Sequence, residues 1–129
     1  MGIYLTPEFE EDRTKARISD TILCKAGKAI LSGLTGDHLG KYTYKKRLAL
    51  PAVSARDGAR SIVFFNNGTN VYFFDMYLKS ALSKKQGKEL EDDEIDAYCK
   101  IAPDFVNLTV KRIKQLLKDR ELIEVNCDE

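Results

Sequence analysis

The chain has 129 residues, 43% of them hydrophobic and 32% charged, with a formal net charge of +1. That length suits a single domain, 1–129, whose core needs no disulfide staple. No apolar run approaches the ~18 residues of a membrane span, and near-neutrality does not by itself announce a nucleic-acid binder.

The segment from Met1 to Glu8 lacks a basic stretch followed by a continuous apolar one, so it does not read as a signal peptide. Pro7 and the acidic residues after it do not suit a myristoylation signal at Gly2. Thr6-Pro7-Glu8 reads as a helix start: Thr6 caps, Pro7 fits the first turn, and carboxylates suit the positive end of the helix dipole. This helix is expected to end near Ala16-Arg17. Ser19 or Asp20 then caps a second helix. In it Ile22, Leu23, Ala26, Ala29, Ile30 and Leu34 recur at roughly helical spacing, and Gly33 and Gly36 end it. His38 falls in a Gly-bounded loop. It is the only histidine, and no cysteine stands at ligand spacing, so neither a metal nor another cofactor is expected. Cys24, Cys99 and Cys127 are widely spaced and odd in number, which reads as free thiols in a reducing cytoplasm.

Tyr42 to Leu50 is expected to be the first strand. Alternation puts Tyr44, Lys46, Leu48 and Leu50 on one face and Lys45 and Arg47 on the other, with the leucines marking the core side. Pro51 to Gly58 is a loop carrying Arg56. Ser61 to Phe65 and Val71 to Phe74 then flank Asn66–Asn70, a hairpin whose turn residues accept positive φ. Both runs are apolar on consecutive residues, as in strands covered on both faces. Arg60 lies in phase with Ile62 and Phe64. Asp75, Tyr77 and Lys79 share one face. Ser80 to Leu90 reads as a mobile loop. Glu91 to Ala102 reads as a helix with an acidic first turn that Pro103 breaks. Asn107 caps a last helix, whose Leu108, Ile113, Leu116 and Leu117 form an apolar stripe. Leu122 to Val125 is a short last strand at a sheet edge.

Charge is segregated along this order. Between Lys41 and Arg60 the cations Lys41, Lys45, Lys46, Arg47, Arg56 and Arg60 stand against one anion, Asp57, while Glu89 to Asp96 holds six anions and no cation. No nucleotide-binding Gly motif, Ser-His-Asp set or calcium loop is present in the sequence. Lysines and arginines on strands, with Tyr42, Tyr44, Tyr72 and Tyr77 among them, remain. Such a set serves RNA cleavage, in which a 2′-hydroxyl attacks the adjacent phosphate, because cations stabilise the transition state and a lysine among cations exchanges protons. It equally serves nucleic-acid binding, or forms a plain solvated surface.

The order of segments resembles the RelE/ParE superfamily of toxin–antitoxin toxins, and within it the HigB-like, phage-derived branch. The matching stretches are Ile18–Ala26, Gly33–Gly40, Tyr44–Ala49, Asp57–Val63, Val71–Phe74, Leu78-Lys79, Glu94–Ala102 and Leu122–Val125. The resemblance implies an α+β fold: N-terminal helices packed on a small, mainly antiparallel twisted sheet, then C-terminal helices and a short last strand. It implies a metal-independent, ribosome-dependent mRNA endonuclease that inhibits translation in the cytoplasm. Its implied partners are the ribosome with its mRNA, a cognate antitoxin of helix-turn-helix type, and operator DNA through that antitoxin, with no membrane. Lys45, Arg47, Arg60 and Lys79 match the family's catalytic positions, with the arginines on the scissile phosphate and the lysines as base or acid. Lys46, Arg56, Tyr44 and Tyr77 are the accompanying RNA-binding candidates. The family's loop usually reads GKxGGxR. Here it is Ser54-Ala55-Arg56-Asp57-Gly58-Ala59-Arg60, with an added negative charge at Asp57, and Ser80 stands where asparagine is common. A non-catalytic module that holds antitoxin and operator DNA, and a gyrase-directed toxin, are the alternatives.

Overall fold

A computed structural model describes residues 2–66, 68–78 and 90–127. Strand β1, Gly2–Leu5, is buried along its whole length. It was not foreseen, because four residues with both faces covered give no alternation to read. Helix α1 follows at Pro7–Lys15, where Thr6 Oγ1 accepts from the Phe9 N–H at 3.1 Å. Helix α2, Asp20–Leu31, is capped by Ser19 and buries Leu23, Ala26 and Ile30. Strand β2 is Asp37–Gly40, β3 is Thr43–Leu48, β4 is Ala59–Phe64 and β5 is Asn70–Leu78. Helix α3 spans Asp92–Val106, α4 spans Val110–Lys118, and β6 is Ile123–Glu124.

The architecture is α+β, a six-stranded sheet in the order β2-β3-β4-β5-β1-β6. All neighbours pair antiparallel except β1 and β5, which run parallel with Ile3 beside Val71 and Leu5 beside Phe73. Helices α1 and α2 cover one face, where Phe9, Leu23 and Ile30 pack with Leu48, Val63 and Phe73. Helices α3 and α4 cover the other, where Ala102 and Ile113 pack with Tyr4, Ile62, Phe64 and Tyr72. The consecutive apolar residues of the expected hairpin have this cause. Strand β4 is buried at every position, with odd and even residues entering different cores. The last strand lies at the sheet edge beside β1, as expected.

Four expectations are corrected. His38 lies in β2 rather than in a loop; it pairs opposite Tyr44, their rings stacked at 4.8 Å. A strand this short is made by its neighbour, not by its own residues. Pro103 does not end α3, which continues to Val106. The proline removes one helical N–H, and the docking of Ile101, Phe105 and Val106 on the second core outweighs that loss. Asn107 closes α3 instead of opening α4, donating its N–H to the Pro103 carbonyl at 3.1 Å, and Thr109 caps α4. Finally, Cys24 and Cys127 form a disulfide across a sequence separation of 103, leaving Cys99 as the free thiol. Pairing of β6 with β1 carries the following segment across α2, a juxtaposition that cysteine spacing cannot reveal. Among the described residues no helix is long and apolar enough to cross a membrane.

Candidate functional site

The sheet arranges the cations in rows. Antiparallel register sets Arg47 of β3 opposite Arg60 of β4, and Arg60 opposite Tyr77 of β5. The next row is Lys45, Ile62 and Asp75. Lys45 and Arg47 therefore share the α3 face, as alternation required, and Tyr44, Lys46 and Leu48 take the α2 face.

Two arginines directly opposite each other on one face repel. The pair is tolerated because their environments differ. Arg47 is exposed, whereas Arg60 is only 2% exposed. The Arg60 guanidinium donates to the carbonyls of Arg56 at 2.8 Å, Ala55 at 3.1 Å and Ala59 at 3.4 Å. A buried cation needs such oxygen partners. Two of them, Ala55 and Arg56, belong to the 51–58 loop, so Arg60 fixes the loop that carries the exposed Arg56. Gly58 lets the loop close: a Cβ there would stand 2.3 Å from the Leu48 carbonyl oxygen.

At the open side of β3 lies a cleft of about 390 Å³ lined by Gly36, Asp37, Lys45, Lys46, Arg47 and Ala55. Its wall is formed by the turn after α2. Gly36 has φ +83°, and a Cβ there would meet the Lys45 carbonyl oxygen at 2.3 Å, so glycine alone fits. Lys45 Nζ stands 3.6 Å from Asp37 Oδ2. Lys46 Nζ donates to the Leu34 carbonyl at 2.8 Å, and burial lowers its pKa from the usual lysine value. An apolar depression formed by Ile22, Ala26, Ala29 and Leu48 adjoins the cleft and shares Lys46, Arg47 and Ala55 with it.

The structure thus brings Lys45, Lys46 and Arg47 to the rim of one cleft, Lys45 and Arg47 from the α3 face of β3 and Lys46 from its α2 face, with Arg56 on the neighbouring loop. Tyr44 is not free to stack on a base there. It packs on the opposite sheet face against His38 and Phe65, with a ring separation of 6.4 Å to the latter. Tyr77 is half-buried in the Arg47–Arg60 row and belongs to the α3 core. Lys79, and the expected loop up to residue 89, lie outside the described residues. Among the described residues no cluster of histidine, cysteine, aspartate or glutamate could hold a metal.

Sequence reasoning missed two features. Asp37 joins the site only through the pairing of β2 with β3, eight positions from Lys45 in sequence. Asp75 accepts a 2.7 Å hydrogen bond from the Tyr98 hydroxyl, which ties α3 to the sheet one row from Arg60. Burial, the Asp75 hydrogen bond and the charges of Asp75 and Glu94 all push the Tyr98 phenol above its ordinary pKa.

Fold and site together define a small α+β protein with cations gathered near one edge of a mainly antiparallel sheet. A family profile described as the RelE toxin of the RelE / RelB toxin-antitoxin system matches residues 1–125, and the chain belongs to that family. No curated protein and no solved structure matches the chain significantly.

Proposed function

We propose that the chain is the toxin of a type II toxin–antitoxin module, of the HigB-like branch, and that it cuts messenger RNA on the ribosome without a metal. The convergence of Lys45, Lys46 and Arg47 on one cleft carries this reading, in a chain of the RelE family. Arg47 is exposed and offers a bidentate fork to the scissile phosphate, where charge grows in the transition state. A base removes the 2′-hydroxyl proton, the 2′-oxygen bonds to phosphorus, the bond to the 5′-oxygen breaks, and an acid protonates that oxygen. Lys45 and Lys79 are assigned to the acid and base roles. Lys46, whose Nζ is held by the Leu34 carbonyl, adds positive charge for RNA binding at the rim of the cleft. Arg56 holds the RNA backbone from the loop. Arg60 acts by positioning that loop, a role its burial supports better than direct phosphate contact. Tyr44 acts from behind the strand, and Tyr77 supports the row rather than stacking on a base.

The partner expected from family membership is a cognate antitoxin. A helix-turn-helix type, with operator binding through it, belongs to the same proposal. Action on ribosomes places the chain in the cytoplasm, where the Cys24–Cys127 pair is exposed to reductants.

Controlled expression with primer extension on a translated mRNA tests the reading. Growth arrest with discrete cuts, lost in a Lys45→Ala/Arg47→Ala variant and absent from untranslated RNA, is the expected result. Arrest with intact mRNA overturns it and points to gyrase. Folded protein without arrest points to a non-catalytic module.

A further inference from the structure

Helix α4 carries cations that the cleft does not use. From Val110 to Lys118 it holds Lys111, Arg112, Lys114 and Lys118 and no acidic residue. At about 100° per residue, Lys111, Lys114 and Lys118 fall within roughly 60° of one another, forming a single stripe. All three are exposed, and none has an ion-pair partner among the described residues. The nearest anions in sequence, Asp119 and Glu121, follow the helix. On its other side Ile113 is buried, and Leu116 and Leu117 pack into the core beneath α3.

These facts separate the partners a basic helix can serve. A membrane surface requires an apolar face to insert, and the apolar face of α4 is already committed to the core. A protein interface requires a buried apolar or aromatic anchor within the patch. The stripe offers none, and Val110 stands alone at its flank. A phosphate backbone requires only donors at intervals. From Lys111 to Lys118 the helix rises about 10 Å, a length over which one strand of a duplex presents about three phosphates.

We propose that the Lys111–Lys114–Lys118 stripe is a second RNA site, which holds a structured RNA by its phosphates while the β3 cleft acts elsewhere. The choice of RNA over DNA rests on the function proposed above. Ile113 belongs to the same buried cluster as Tyr4 of β1 and Tyr72 of β5, and α4 leads directly into β6 at the sheet edge beside β1, so α4 lies on the far side of the sheet order from β3, where two to three strand spacings are roughly 10–14 Å. The two sites are separate and engage one large RNA together, so the stripe adds affinity without touching the reacting atoms.

The test is fluorescence anisotropy with a labelled RNA hairpin, titrated over a range of salt concentrations. The proteins are wild type, a Lys111→Ala/Lys114→Ala/Lys118→Ala variant, and a control of equal charge loss, Lys15→Ala/Arg17→Ala/Lys100→Ala. Alanine favours helix at the α4 positions, and melting curves check that all three proteins fold. The stripe variant is expected to bind at least tenfold more weakly at about 0.1 M salt. Its log–log salt slope should fall by about 2 to 3 relative to wild type, while the control stays near wild type. Unchanged RNA binding by the stripe variant, or an equal loss in the control, overturns the proposal. Tighter binding of a DNA hairpin of the same sequence overturns the assignment to RNA. Binding is read without cleavage, so failure of the nuclease reading leaves this result intact. Where cleavage on ribosomes is measured, the stripe variant raises KM and leaves kcat unchanged.

Discussion

Replacing Arg60 separates support from chemistry at the cleft. Its guanidinium binds the carbonyls of Ala55, Arg56 and Ala59 at 2.8–3.4 Å. In Arg60→Ala those oxygens lose a cationic donor and the side-chain volume empties. Each buried group left unpaired costs about 1–3 kcal/mol. Water reaches the partly buried oxygens of the loop, so a total of about 3–5 kcal/mol is expected. For 129 residues the unfolding entropy is roughly 0.27 kcal/mol/K, so Tm should fall by about 10–20 °C. Arg60→Lys keeps the charge and loses the fork, and should fall by about half as much. Calorimetry gives the Tm, and hydrogen exchange gives the loop. The amides of Asp57 and Gly58, now donating to Ser54 and Ala55, should exchange much faster in the alanine variant. A variant within about 3 °C of wild type, with unchanged exchange at Asp57 and Gly58, refutes the positioning role. If it also loses cleavage, Arg60 contacts the RNA directly.

Other consequences can be measured independently. The Cys24–Cys127 bond closes a loop with a sequence separation of 103, so in the chain-entropy view a Cys24→Ser/Cys127→Ser variant loses about 4–5 kcal/mol. Adding dithiothreitol should lower the wild-type Tm to that of the variant and leave the variant unmoved. Gly58→Ala drives a methyl against the Leu48 carbonyl oxygen, which the backbone must yield to avoid. A loss of about 1–3 kcal/mol is expected from the urea midpoint. The Tyr98 pKa is raised in the folded protein by burial first and by Asp75 second. That contribution is fully present below the unfolded tyrosine pKa of about 10 and is lost as pH rises beyond it. Urea midpoints should therefore fall above about pH 10 in wild type and fall less in Tyr98→Phe.

What could be read from the sequence was what local chemistry decides. Thr6 was legible as a cap from Pro7 and the carboxylates after it, and Ser19, with Asp20 as the alternative, from the apolar-periodic run that follows. The face shared by Lys45 and Arg47 followed from the two-residue period of a strand. The doubly covered hairpin showed in its unbroken apolar runs. What stayed hidden depends on long-range pairing. Strand β1 exists because β5 and β6 flank it, β2 because β3 does, and the disulfide because β6 returns the chain to α2. The cations show the same division. Their presence on strands was legible, but the burial of Arg60 depends on where the 51–58 loop folds, and the Asp37 partner of Lys45 depends on the β2–β3 register. Tyr44 faces the α1/α2 core rather than the cleft, as the alternation already implied.

Cleavage by purified protein on ribosomes programmed with a defined mRNA, in a single turnover with toxin in excess, bears most directly on the account. Wild-type protein should cut the message at discrete sites, and Arg47→Ala should cut the same sites at least about 10²-fold more slowly while retaining its wild-type Tm. A folded Arg47→Ala protein that cuts at the wild-type rate, or a wild-type protein that leaves the translated message whole, contradicts it.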